Sequence, residues 1–283
     1  MRSLTVAGPA GALHVVDHPA VGADSPAGAR PVAFADPSRE ALPLVLVHGM
    51  VAHAGFWEAP LAHASGRRRA VAIDLRGHGA SEPPAHADYA PSACAADVLA
   101  VLDALALPRV ALVGHSYGAL VALAAAASHP ERVARLVLAD PPRDFSQVPA
   151  AGKAQHFTPY IAALESDGWR DTAVATFDEA LAGSTPATRE TVLSRAAAVP
   201  HDQMLDMSRH LLEFEAASAL DRYLAAPGAR AHAILAPSNA WPLSLHVLRP
   251  ALTSVVLPGT SHWLMLDAPA AFAAALEAWL DAP

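Results

Sequence analysis

The stretch Val110-Ala111-Leu112-Val113-Gly114-His115-Ser116-Tyr117-Gly118-Ala119-Leu120 reads as a strand, a tight turn and the first residues of a helix. Four apolar residues run into a Gly-x-Ser-x-Gly turn, and the alanine-rich segment that follows, to residue 128, has helical length. A serine hydroxyl is a weak nucleophile. Lifting it onto a sharp strand-to-helix turn exposes its oxygen, and flanking glycines let the strained backbone pass close to its neighbours. Gly114 and Gly118 fit that steric role. The helix also aims backbone N–H groups and its positive dipole end at the point where an oxyanion would develop. Ser116 is therefore the candidate nucleophile, and the Tyr117 N–H is the first candidate oxyanion donor.

Outward from this turn, apolar runs bounded by Gly, Pro or polar residues recur at 13–16, 44–47, 70–73, 133–138, 233–236 and 253–257, and each is expected to be a strand. Segments of helical length separate most of them, at 56–65, 92–105 and 116–128. This alternation predicts an α/β fold of parallel strands joined by right-handed crossovers. Strands buried on both faces explain the nearly unbroken apolar runs. The first strand, 4–7, is joined to the run at 13–16 by Gly8-Pro9-Ala10-Gly11, which predicts an antiparallel hairpin at one edge of the sheet. Residues 19–42, rich in Pro, Ala, Gly and Asp, read as a mobile surface loop.

The alternation stops between Pro141 and Gly228, where no strand-like run occurs and Met204, Met207, Leu211 and Phe214 repeat at helical spacing. The expected organisation is a core formed by 1–142 and 229–283, with a helical insertion over 143–228.

A chain of 283 residues is long enough to bury a core without disulfides or metals. Its net charge of −8 comes with no long basic block, so neither nucleic acid nor an anionic membrane is an expected partner. The run Arg67-Arg68-Arg69 reads as a solvated loop. One cysteine, Cys94, excludes an intrachain disulfide and CxxC chemistry, and is expected to pack as a small hydrophobe. Gly and Pro interrupt the N-terminal segment before a signal-peptide core develops, so a cytoplasmic location is expected by default. The most apolar stretch, 119–127, is far short of the roughly 20 residues a membrane-spanning helix requires. No metal or organic cofactor is expected, because the histidines lack paired ligand spacing and no GxGxxG follows the first strand.

A general base must accompany the serine. Of the 15 histidines, His262 lies in the loop after the last strand, in Leu257-Pro258-Gly259-Thr260-Ser261-His262-Trp263. An imidazole there can take the Ser116 proton and return it to a leaving group. The second oxyanion donor is expected in the loop after the run 44–47, where Met50 would offer its backbone N–H. His48, in the same loop, reads as support for the turn.

His48-Gly49-Met50, the segment DLRGHGAS at 74–81, GHSYG at 114–118 and PGTSHW at 258–263 together resemble the α/β-hydrolase family over nearly the whole chain. The resemblance implies a sheet of about eight strands, a helical cap, and a serine, acid, histidine triad in that chain order. Ser116 and His262 match directly, while Asp74 and Arg76 match a recurrent supporting turn. The acid departs from the pattern. Most relatives carry an Asp after the penultimate strand, where this chain has Pro237-Ser238-Asn239-Ala240-Trp241. Some members, such as one subgroup of haloalkane dehalogenases, place the acid after the strand that follows the nucleophile helix, and Asp140 occupies that place. A carboxylate there would fix the tautomer of His262. Asn239 holding the imidazole, or a Ser-His dyad, are the alternatives. Asp144 and Asp267 lie beyond the turns that would aim them at the base.

A serine nucleophile implies an acyl-ester intermediate and so a small-molecule substrate with an ester, lactone, thioester or activated amide. Phe145, Phe157, Tyr160, Trp169, Met204, Met207 and Phe214 of the insertion would line a moderately apolar substrate pocket. Acyl transfer, cyclisation or C–C bond hydrolysis on the same site remains open, as does a ligand-binding protein that keeps the fold without the chemistry.

Overall fold

The computed structural model describes residues 1–19, 41–64 and 66–282, so most of the loop expected over 19–42 lies outside the described residues. β1 (Arg2–Gly8) and β2 (Gly11–His18) pair antiparallel with Gly8 opposite Gly11, the hairpin expected from the Gly-Pro-Ala-Gly sequence. β3 (Leu44–Val47), β4 (Ala70–Ile73), β5 (Val110–His115), β6 (Val133–Ala139), β7 (Ala231–Leu235) and β8 (Thr253–Val256) follow. They complete an eight-stranded sheet among the described residues, in the order β1-β2-β4-β3-β5-β6-β7-β8. β2 meets β4 antiparallel, and every pairing from β4 to β8 is parallel.

All residues of β3, β4, β5 and β7 are buried, because helices cover both faces. α1 (Glu58–Ala64) joins β3 to β4, which lies on the hairpin side of β3. α2 (Pro91–Ala104) and α3 (Tyr117–Ser128) carry the chain in the opposite direction, so right-handed crossovers put them on the other face. Cys94 is buried on α2.

The insertion between β6 and β7 is helical. α4 (Ala150–Gly152) continues through a π-helical turn (Lys153–Phe157) into α5 (Thr158–Leu164). Then come α6 (Trp169–Ala180), α7 (Pro186–Ala198), α8 (His201–Glu213) and α9 (Ala216–Leu224). The last of these does not stand apart from the core. α9 packs on α3, and its Tyr223 hydroxyl lies 3.1 Å from the Val133 carbonyl and 3.2 Å from that of Arg230. The segment that leaves the sheet layer therefore ends near α8. α10 (Leu245–Leu248), α11 (Leu264–Asp267) and α12 (Pro269–Leu280) complete the chain, with α12 packed on α1. No helix among the described residues is long and apolar enough to cross a membrane.

The parallel register sets Val47 beside Gly114, His115 beside Ala139, and Ala139 beside Ile234. The loops after β3, β5, β6, β7 and β8 consequently leave the sheet along one edge, the carboxyl ends of the strands, where open α/β sheets hold their ligands.

Candidate active site

Ser116 sits between β5 and α3 at φ 51°, ψ −120°, outside the regions that side chains ordinarily favour. The crowding around it explains the two glycines. A Cβ on Gly114 would lie 2.1 Å from the Gly118 carbonyl oxygen, and one on Gly118 would lie 2.4 Å from those of Val47 and His48. The loop after β3 is thus pressed onto the start of α3, and a Cβ on Gly49 would come within 2.9 Å of the Ser116 Cβ. Met50 follows Gly49, and Tyr117 is the first residue of α3. Neither backbone N–H has a hydrogen-bond partner among the described residues.

His262 and Asp140 meet, with Nδ1 and Oδ2 2.6 Å apart. A carboxylate oxygen accepts there, so Nδ1 carries the proton and Nε2 of the neutral ring holds the free lone pair. Asp140, 3% exposed and itself at φ 42°, is held from its other oxygen. Oδ1 accepts from the Ala236 N–H at 2.8 Å and from the Asn239 side-chain amide at 3.1 Å. The Asn239 amide also donates to the Pro141 carbonyl at 2.9 Å, and its own oxygen accepts from the Ser244 hydroxyl at 2.7 Å. Asn239 therefore holds the carboxylate and not the imidazole, unlike the alternative drawn from its place after β7.

The loop that carries His262 is tied to the turn that carries Ser116 by His115. Its Nε2–H donates to the His262 carbonyl at 2.8 Å, and the two rings lie 4.8 Å apart. Burial, with the neighbouring His262 ring, pushes the His115 imidazole well below its usual range, so it stays neutral. Ser116 Oγ and His262 Nε2 do not hydrogen bond in this resting geometry, a contact that commonly tightens with ligand in place.

The remaining candidate acids have other work. Asp267 accepts from the Ser261 N–H and hydroxyl at 2.8 and 2.6 Å, bracing the base loop. Asp144 accepts from Ser146 and from the Ala217 N–H at 2.8 Å, which anchors the start of α9. His48 is supportive, as its position suggested: Nδ1–H donates to the Gly49 carbonyl and Nε2 accepts from the Leu75 N–H. Burial, then the nearby His78, lower it to about 3. Arg76 forks onto buried Asp97 at 2.6 and 2.9 Å.

The seven pocket candidates of the insertion have different surroundings. Met204 and Met207 are 1% exposed and belong to the core. Trp169 stacks on His201 at 4.6 Å, with the Arg170 guanidinium over its ring. Tyr160 Oη lies 3.4 Å from Ser208 Oγ. Phe145 meets Phe157 edge-on at 5.4 Å, and Phe157 also lines a groove with Ile161 and Leu212 that has no strand-end residue in its wall. Phe214, partly buried, follows α8. His115 and Arg195, whose guanidinium reaches the loop after β3, were not singled out as site residues from the sequence, and Asn239 was read there only as an alternative partner of the imidazole.

The profile of the alpha/beta hydrolase family matches residues 44–275, and the chain belongs to that family. It is 41% identical over 99 residues to a 2-hydroxymuconate semialdehyde hydrolase of Pseudomonas sp. (strain CF600), covering 34% of this chain and 35% of that protein. It is 40% identical over 128 residues to a putative carbamate hydrolase RutD of Variovorax paradoxus (strain S110), covering 45% and 47%. The matches thus span about a third to a half of those relatives' lengths. Among solved structures, the enol-lactonase from Burkholderia xenovorans LB400 superposes with a TM-score of 0.75 at 19% identity, over 99% of this chain and 100% of that one, and shares its fold.

Proposed function

We propose that the protein hydrolyses a carboxylic ester, lactone or related acyl bond of a small substrate through an acyl-enzyme on Ser116. The observation that carries this reading is the His262–Asp140 contact of 2.6 Å, in a loop clamped to the turn of Ser116 by His115, the residue before it.

In this mechanism Ser116 Oγ attacks the acyl carbon while His262 Nε2 takes its proton. The negative charge moves to the former carbonyl oxygen, where the Met50 and Tyr117 N–H groups donate to it. The intermediate collapses, the C–O bond to the leaving group breaks, and His262 returns the proton to that oxygen. Water then attacks the acyl-enzyme, giving its proton to His262, and the acid leaves as Ser116 is restored. Asp140 accepts throughout from His262 Nδ1–H, fixing the tautomer and stabilising the imidazolium.

Helices α4 to α8 serve as a cap in this reading. Their support comes from contacts with three strand-end loops: the Ala180 carbonyl with the His262 N–H, Arg195 with the Val51 carbonyl, and the Gln203 amide with His78 Nε2. Incubation with methyl esters and lactones of graded acyl length, followed by mass analysis of the acid-quenched protein, tests the proposal. It expects a transient acyl mass on the peptide containing Ser116; turnover with no such mass, or an acyl group on another residue, would overturn it.

A further inference from the structure

Beside the loop after β3 lies a cavity of about 350 Å³, walled by Val51 and Ala52, by the turn at 77–79, and by the facing ends of α7 and α8. That volume lies within the range of small-ligand sites. Among its wall residues, Arg195 alone carries charge at neutral pH, because burial pushes His78 down to about 4. Arg195 Nε donates to the Val51 carbonyl at 3.2 Å, while its two terminal nitrogens meet no acceptor and no carboxylate among the described residues. The carboxylate whose charge acts on the guanidinium is Asp74, and its oxygens are already taken by the Ala54 and Ala80 N–H groups and by His14.

One further feature of the wall lacks a side-chain partner. α8 begins there, after Pro200, with no side-chain cap, which leaves the N–H groups of its first turn to be met from outside the helix. An unpaired guanidinium held partly out of water is costly unless an anion meets it. Its planar fork matches a carboxylate.

We infer that this cavity is a carboxylate subsite, in which the terminal nitrogens of Arg195 fork onto an acid group of the substrate whose acyl carbon is presented to Ser116. Gly49 abuts Ser116, and Val51, whose carbonyl Arg195 contacts, lies two residues further along the same loop, so that loop joins the cavity wall to the turn of Ser116. A substrate that meets both ends of the loop is a half-ester or lactone of a dicarboxylic acid, and its chain length is read from the test below. The orientation toward Ser116 rests on the acyl-enzyme reading; recognition of the carboxylate does not.

The test compares the monomethyl esters of succinate, glutarate and adipate with neutral methyl esters of equal chain length, in the wild type, Arg195→Lys and Arg195→Gln. The quantity read is the ratio of kcat/KM for acid over neutral ester. Arg195→Gln is expected to lower that ratio about ten- to a hundred-fold at the best chain length, mainly through KM, with Arg195→Lys between. An unchanged ratio overturns the inference, since loss of the Val51 contact alone would slow both esters together. If the wild type turns over neither ester, titration of free glutarate into Ser116→Ala protein decides. Saturable binding that Arg195→Gln abolishes upholds the carboxylate site even as the acyl-enzyme reading fails, and binding that is absent or indifferent to Arg195 removes it.

Discussion

Two imidazole–carboxylate pairs flank β5, the strand that leads into Ser116. His14 Nδ1 meets Asp74 Oδ2 at 2.7 Å near the ends of β2 and β4, and His262 Nδ1 meets Asp140 Oδ2 at 2.6 Å beyond β6 and β8. Their lengths are alike and their surroundings are not. His14 Nε2 is within 2.8 Å of the Ser3 hydroxyl, so both ring nitrogens are engaged, and Asp74 also accepts from the Ala54 and Ala80 backbones. Burial alone would push the Asp74 carboxyl up, yet those N–H groups and the nearby His48 and His14 hold it below its usual range. In the second pair Nε2 has no partner among the described residues, and the His262 backbone carbonyl is tied to the residue before Ser116. A short His–Asp contact is thus a brace on one side of the sheet and, on the other, where Nε2 meets no partner among the described residues, the arrangement the proposed mechanism asks of a base.

Removing each carboxylate separates the two roles. Asp140→Asn is expected to lower kcat about 10³- to 10⁴-fold by favouring the wrong His262 tautomer, with little change in the urea unfolding midpoint. A drop below tenfold would place the pair among the braces. Asp74→Asn should do the reverse, costing about 2–4 kcal/mol in urea unfolding because a buried acceptor of two backbone N–H groups is lost. Its activity per folded molecule should stay within an order of magnitude. Equal damage from both substitutions in both assays would dissolve the distinction.

Asn239 sharpens the comparison on the Asp140 side. Asn239→Ala leaves Asp140 Oδ1 with the Ala236 N–H alone, and kcat should fall about tenfold with an altered acid limb of the pH–rate profile. A lost fold with a normal profile would make Asn239 merely structural.

The smallest effect concerns the neutral histidines of the supporting side. His78 titrates near 4 and His48 near 3 in the folded protein, against 6.5 when unfolded, because burial disfavours their charged forms. Between about pH 6.5 and 4 the unfolded chain therefore binds more protons, and stability is lost as pH falls through that window. Each histidine adds a slope of about 1.4 kcal/mol per pH unit. His78→Asn should remove one such increment from the pH dependence of urea unfolding. An unchanged slope would show that His78 charges without unfolding.

The sheet was legible because parallel strands buried on both faces must be written as unbroken apolar runs, and 44–47 and 70–73 fall on β3 and β4 to the residue. The tight turn at Gly114, Ser116 and Gly118 was legible because its strand-to-helix geometry and close packing act within five residues. α9 was not separable from the rest of the insertion: Ala216, Leu220 and Tyr223 form the same apolar face whether it meets α3 or a cap helix. The hold of Asn239 on Asp140 and of His115 on the His262 carbonyl was not legible because those partners stand 99 and 147 residues away. Arg195 is invisible to sequence for a related reason: its interest lies in the carboxylate that no neighbour supplies.

The central claim is that Ser116 is an activated nucleophile served by the second pair. Intact mass after treatment with a fluorophosphonate measures this directly, with Ser116→Ala and Asp140→Asn beside the wild type. The account predicts one adduct on the wild type, none on Ser116→Ala and greatly slowed labelling of Asp140→Asn. An adduct that survives in Ser116→Ala, or a folded wild type that takes none, would contradict it.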